Sequence, residues 1–128
     1  MLAYRIFLVS GALGAALAVV AGAFGAHALR GIDPASLSVY RLAVDYQFWH
    51  ALGLLAAGLA GMHFGPRRSI VAAGSLMIIG IVLFSGSLYG MSLLGMRLGM
   101  VTPLGGLAFI LAWLFLAWGI GRAGPLRT

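Results

Sequence analysis

The chain contains no cysteine, lysine, glutamate or asparagine. Without cysteine there are no disulfides, no thiolate nucleophiles and no cysteine-ligated iron–sulfur clusters. Only 8% of the residues are charged, whereas soluble domains carry roughly a quarter. A soluble fold is therefore not expected. All eight basic residues are arginine, placed singly or as the pair Arg67–Arg68 at the ends of apolar runs. The net charge of +6 accordingly suits lipid phosphates and membrane topology, not a nucleic-acid surface.

What is there is apolar: 62% of the chain, with charge-free runs over residues 6–29, 46–66, 69–96 and 98–121. Each run holds at least the ~20 residues needed to cross a hydrocarbon core of about 30 Å. These runs predict an all-α membrane protein of the bacterial inner (plasma) membrane. It is read as one domain over residues 1–128, with helices near 4–29, 34–64, 69–93 and 103–121. Arg5, the following apolar stretch and Ala26-His27-Ala28 imitate a signal peptide. The apolar stretch is longer than the ~7–15 residues of a signal h-region, so it is read as the first helix. Asp33-Pro34 and Thr102-Pro103 carry the N-cap and first-position signature of helix starts. Gly65-Pro66 ends the second helix, because glycine suits the position after the last turn and proline cannot continue it. At about 46 Å the second helix is longer than a membrane needs, so its first turns project to the surface. There Arg41 and Asp45, spaced i, i+4, can pair on one face.

Short connections imply an up-down-up-down bundle. Arg5, Arg67, Arg68, Arg122 and Arg127 fall on one side, and Arg30, Arg41 and Arg97 on the other. The positive-inside rule then places both termini in the cytoplasm. Small residues mark the helix-packing faces. Gly11, Gly14, Ala18, Gly22 and Gly25 form a stripe on the first helix that permits close backbone approach. Gly53, Ala57 and Gly61 form a row on the second, and positions four apart continue it outward to His50 and Tyr46.

Laid out this way, His27, Asp45, Tyr46, Gln47, His50, Ser85, Tyr89 and Thr102 all fall in the outer half of the bilayer. Polar groups in hydrocarbon are costly, so this cluster is either helix glue or a site. His50, Tyr46, Asp45, Tyr89 and His27 make up the candidate polar pocket. His50 can be a ligand, a proton carrier or an interhelical hydrogen-bonding group. Asp45 can be a proton-exchanging carboxylate beside it, or an interfacial partner of Arg41 or Arg97. His27 lies about 160° from Gly11 around the helix, which separates it from the glycine stripe. Ser85 can bond its own helix. His63, Trp113 and Trp118 read as interfacial or packing residues. No helical His-x-x-x-His pair and no cysteine supports a metal site, and no Gly-x-Ser-x-Gly elbow supports a triad. No enzyme activity and no cofactor is expected.

Four stretches share an order and spacing. They are Gly22-Ala23-Phe24-Gly25-Ala26-His27, Tyr46-Gln47-Phe48-Trp49-His50-Ala51-Leu52, Phe84-Ser85-Gly86-Ser87-Leu88-Tyr89 and Thr102-Pro103-Leu104-Gly105-Gly106. Together they resemble the small membrane family designated domain of unknown function 423, also called transmembrane protein 256-like. The resemblance covers nearly the whole chain and implies a four-helix inner-membrane protein. It adds weight to Gly22–His27, Tyr46, His50 and Thr102–Gly106 without naming a ligand. The functional expectation is an accessory or scaffolding subunit whose glycine-rich faces pack against partner helices, in a homo-oligomer or a larger membrane complex, with membrane lipids around it. Two others stand beside it: a proton or small-solute path through His50, Asp45 and Tyr46, and a haem- or quinone-binding redox accessory.

Overall fold

The computed structural model describes residues 1–124; Arg127, counted above for topology, lies outside them. Four long helices follow one another: α1 (Leu2–Ala28), α2 (Pro34–Phe64), α3 (Arg68–Leu94) and α4 (Val101–Gly121). No strand occurs among the described residues. α1, α3 and α4 are long and apolar enough to cross a membrane; α2, at 31 residues, is long enough but less apolar. Four spans were predicted, and the lower apolarity of α2 has a physical cause. α2 carries Gln47 and His50 and packs against all three other helices, which bury them.

Local chemistry sets the helix ends. The Asp33 carboxylate accepts the backbone N–H of Ser36 at 2.9 Å, and Pro34 follows at the first helical position, where its missing N–H has no intrahelical partner to lose. Hydrogen bonds from Ser36, side chain and then backbone, hold the Asp33 carboxyl below its usual value. α2 stops at Gly65 (φ 82°) and α3 at Gly95 (φ 62°). After Gly95 the chain folds back, and Met96 N–H reaches the Gly90 carbonyl at 3.2 Å. α4 begins at Val101, a residue before Thr102. Thr102 is therefore not the cap that its neighbour Pro103 suggested. Pro103 is tolerated because the first N–H groups of a helix have no intrahelical acceptor.

α3 is not uniform. A π turn over Ile81–Ser85 interrupts it between Arg68–Gly80 and Gly86–Leu94. An extra residue in one turn rotates everything beyond it, and such turns recur at functional sites.

Consecutive helices are antiparallel: Gly61 meets Tyr4, Gly53 meets Met77, and Gly105 meets Phe84. The layout is more open than a closed bundle, because α1 and α4 are not neighbours. α1 packs on α2, and α3 packs on both α2 and α4. The buried core gathers Tyr4 and Phe7 of α1, Leu54 and Ala57 of α2, Ile70 and Met77 of α3, and Leu116 of α4. All lie toward the end where the chain starts, the half that holds little but apolar side chains in the sequence.

The predicted glycine faces are used within the chain. A Cβ on Gly11 would sit 2.7 Å from the Ala51 carbonyl oxygen, and one on Gly25 would meet the Tyr40 ring at 2.5 Å. Gly14 and Gly22 face Ala51 and Val44 more loosely. Gly53 and Gly61, read as one face, serve different neighbours: Met77 and Trp113 for Gly53, Tyr4 for Gly61. Steps of four residues drift by about 40° each around a helix of 3.6 residues per turn. Two steps carry the row from the α3–α4 side of α2 to its α1 side.

Candidate functional site

The polar half resolves into three arrangements, not one pocket. The first joins α1, α2 and α3 through Gln47, the only amide side chain in the sequence. Its Nε2 donates to the Gly14 carbonyl at 2.9 Å, and its Oε1 accepts the Tyr89 hydroxyl at 2.7 Å. Tyr40 completes the group. Its hydroxyl donates to the Ala21 carbonyl, and its ring meets Tyr89 edge-on at 5.4 Å. Gln47 is 8% exposed, so both ends of a buried amide are satisfied, as low-dielectric burial requires. The candidate list built from sequence omitted it. The available signal was its place on the row Tyr40, Gln47, Ala51, Leu54 and Gly58, the buried face of α2.

The second arrangement surrounds His50, which is 5% exposed. Its ring stacks on Phe109 of α4 with centroids 3.4 Å apart and planes 12° from parallel. Tyr46 lies beside this pair, 5.7 Å from His50 and 6.1 Å from Phe109, and stacks in turn on Phe84 of α3 at 4.4 Å. Trp113 stands at 6.0 Å. The π turn and the helix-facing glycines position these rings: Phe84 seats on Gly105, and Phe109 seats on Gly80. His50 Nδ1 lies 2.7 Å from the Tyr46 carbonyl, one turn back in its own helix. A carbonyl only accepts, so Nδ1 carries a proton and donates it in this bond. His50 thus touches α4 through ring faces, not through an interhelical hydrogen bond.

The third arrangement pins α3 to α2 and to α4 at the end of the π turn. Ser85 Oγ donates to the Ala43 carbonyl of α2 at 2.7 Å, and Ser87 Oγ lies 2.6 Å from Thr102 Oγ1 of α4. Ser85, expected to bond its own helix, crosses to α2; Ser87 bonds the Phe84 carbonyl of its own helix and also crosses.

Of the predicted pocket residues, Tyr46 and His50 come together, and Tyr89 belongs to the Gln47 group instead. Asp45 is exposed and lines a groove between α1 and α2 with Arg41. It stands apart from His50 because five residues carry the chain about 140° around the helix. His27 is exposed at the end of α1 and joins neither group. Among the described residues no group of three or more His, Asp or Glu side chains could hold a metal ion. At the opposite end, Tyr4 Oη accepts the Arg67 backbone N–H at 2.9 Å, Arg67 Nη1 donates to the Arg122 carbonyl, and the Arg122 guanidinium lies 4.4 Å over Trp118.

Long apolar helices, joined by satisfied polar contacts and bordered by arginine, define a helical membrane protein. The chain belongs to the family described as "Protein of unknown function (DUF423)", whose profile matches residues 21–106. The UPF0382 membrane protein YwdK of Bacillus subtilis is 46% identical over 114 residues, covering 88% of this chain and 93% of that protein. UPF0382 membrane proteins of Staphylococcus epidermidis and Staphylococcus saprophyticus are 45% and 44% identical. They cover 88% and 90% of this chain, and the alignments span 92% and 96% of those proteins. No solved structure matches the chain. The family span runs from within α1 to within α4; it takes in Gln47, His50, Ser85 and Thr102 but not their partners Gly14, Phe109 and Trp113.

Proposed function

We infer that the protein is a multi-pass plasma-membrane protein, crossing the bilayer four times with both termini in the cytoplasm. It serves as a non-enzymatic accessory subunit that receives a partner helix along the outer face of α1. The observation that carries this reading is the burial of α1. Only 17% of its most apolar window is buried, against 33% for α3 and for α4. The glycine stripe first read as the partner-binding face is occupied by α2. A second run of small residues, Ala12, Ala16 and Ala23, is exposed on the side of α1 turned from α2. In lipid no hydrophobic force draws helices together, so small residues that allow close approach are what favour a contact. The non-enzymatic part of the reading rests on how the outer-half hydroxyls and the Gln47 amide are used: they hold helix to helix.

The lack of native cysteine makes the test direct. An Ala16→Cys variant, oxidised in native membranes, is expected to form a discrete cross-linked species, and tagged protein to co-purify with a stoichiometric membrane subunit or a second copy. A monodisperse monomer with no cross-link and no co-purifying subunit sinks the accessory reading.

A further inference from the structure

We propose that the groove between α1 and α2 is a binding site for a phospholipid whose headgroup carries both a phosphate and a primary ammonium group. The groove encloses about 150 Å³, the size of an apolar cavity that admits a benzene-sized guest. Gly22, Gly25 and Ala26 form its α1 side, and Tyr40 and Val44 form the wall on α2. Its α1 side stays low because Gly22 has no side chain: a Cβ there would lie 3.6 Å from Val44.

Arg41 and Asp45 supply the charges at the groove, and both are exposed. Four residues apart on one helix, they present opposite charges about 5–6 Å apart at Cβ. That is the order of separation between phosphate and ammonium across two methylenes. Arginine offers planar paired N–H donors to phosphate oxygens, and the Asp45 carboxylate accepts N–H bonds from the ammonium. A contact between Arg41 and Asp45 alone is worth little at an exposed position, so a headgroup can insert between them at small cost. The opposed charges also select. A headgroup with phosphate alone gains from Arg41 but is repelled by Asp45, whereas a zwitterion meets both.

The surface below the groove argues for a lipid over a free zwitterion. Down the same face of α2 the exposed residues after Asp45 are Phe48, Leu52 and Leu59, and exposed Val19 lies one turn in from Gly22 on α1. A charged rim leading onto an uninterrupted apolar track matches a headgroup with its acyl chains. At 31 residues α2 is longer than the ~20 that a bilayer core needs, so in a spanning α2 Arg41 and Asp45 fall where the helix emerges.

Native mass spectrometry of the full-length protein in mild non-ionic detergent tests this, with dioleoyl phosphatidylethanolamine and dioleoyl phosphatidylglycerol titrated in parallel. The expected result is preferential retention of phosphatidylethanolamine. Arg41→Gln or Asp45→Asn is expected to lower its affinity about tenfold, the scale of one lost charge-assisted contact. Gly22→Leu, which fills the groove, is expected to abolish binding, while Gly22→Ala leaves it. Unfolding midpoints unchanged in Arg41→Gln and Asp45→Asn keep the comparison valid, because both side chains are exposed. Equal retention of the two lipids overturns the proposal, as does an undiminished preference in both charge variants. Equal binding of chain-free glycerophosphoethanolamine also overturns it, assigning the groove to a soluble zwitterion.

Discussion

At position 47 one side chain does what the sequence led us to expect of several. Gln47 ties α1 to α3 through α2 by two hydrogen bonds, to the Gly14 carbonyl and from the Tyr89 hydroxyl. His50, the residue with the richest chemistry on paper, makes its one recorded hydrogen bond to a carbonyl of its own helix and is held by ring stacking on Phe109. The two positions should therefore respond differently to substitution. Gln47→Leu removes both bridges and leaves a half-buried tyrosine hydroxyl unpartnered, at a cost of about 1–2 kcal/mol. Tyr89→Phe removes one bridge. Combining them should cost less than the sum by about 0.5–1.5 kcal/mol, the coupling of a contacting pair. His50→Phe keeps the stack and leaves behind a carbonyl already used by the helix, so it should cost less than Gln47→Leu. Unfolding of the purified protein in mixed micelles measures all four. A His50→Phe variant less stable than Gln47→Leu would contradict this division of roles.

Between elements, the α3–α4 interface is a reciprocal exchange: Phe84 sits on Gly105, and Phe109 sits on Gly80. A Cβ at Gly105 would meet the backbone nitrogen of Phe84, which cannot rotate away as a side-chain tip can. Gly105→Ala is expected to destabilise by about 1–3 kcal/mol through overpacking. At Gly22 the nearest atom is an ordinary 3.6 Å away, so Gly22→Ala is expected to be neutral or to stabilise slightly through higher helix propensity. Equal losses in a thermal unfolding assay of the two variants would refute the close approach at Gly105. How legible these elements were follows from what each one depends on. The start of α2 at Asp33-Pro34 and its end at Gly65 rest on local backbone chemistry, which the residue types announce. Tyr46 and His50 were legible as one row because four residues nearly complete a helical turn. The π turn at Ile81–Ser85 was not. Nothing in Ile-Val-Leu-Phe-Ser departs from an ordinary apolar helix; the register change serves the tertiary seating of Phe84 and the reach of Ser85 to Ala43. Thr102 misled for a related reason. A threonine before proline reads as a cap, but here its hydroxyl lies against Ser87, leaving the helix to start on Val101.

For the whole molecule the governing fact is an asymmetry along the helix axes. One half of the helix assembly is an apolar core from Tyr4 to Leu116, while the other holds the Gln47, His50 and Ser85 groups. Arginine follows the same division. Arg5, Arg67, Arg68 and Arg122 border the apolar half, with Arg127 beyond the described residues, and Arg30, Arg41 and Arg97 border the polar half. Positive charge is retained on the cytoplasmic side, so the polar half should face outward. The sequence has no cysteine to interfere, and the loops offer sites where a side chain meets nothing: Gly31 and Gly99 have open space around them at normal φ, on the polar side. Pro66 is exposed in the turn on the other side. Introduced singly, Gly31→Cys and Gly99→Cys should react in intact cells with a membrane-impermeant maleimide, and Pro66→Cys should react only after permeabilisation. The opposite pattern would invert the molecule and place the Arg41–Asp45 groove in the inner leaflet. Labelling of all three in intact cells would mean that neither α2 nor α3 crosses. The experiment bears most directly on α2. Its polar content makes it the least apolar of the four helices, yet Gly31 and Pro66 flank it. Opposite accessibility at those two positions is what a spanning α2 requires. It also fits the packing: α2 contacts all three other helices, and Gln47 and His50 lie on its buried side while Phe48, Leu52 and Leu59 are exposed.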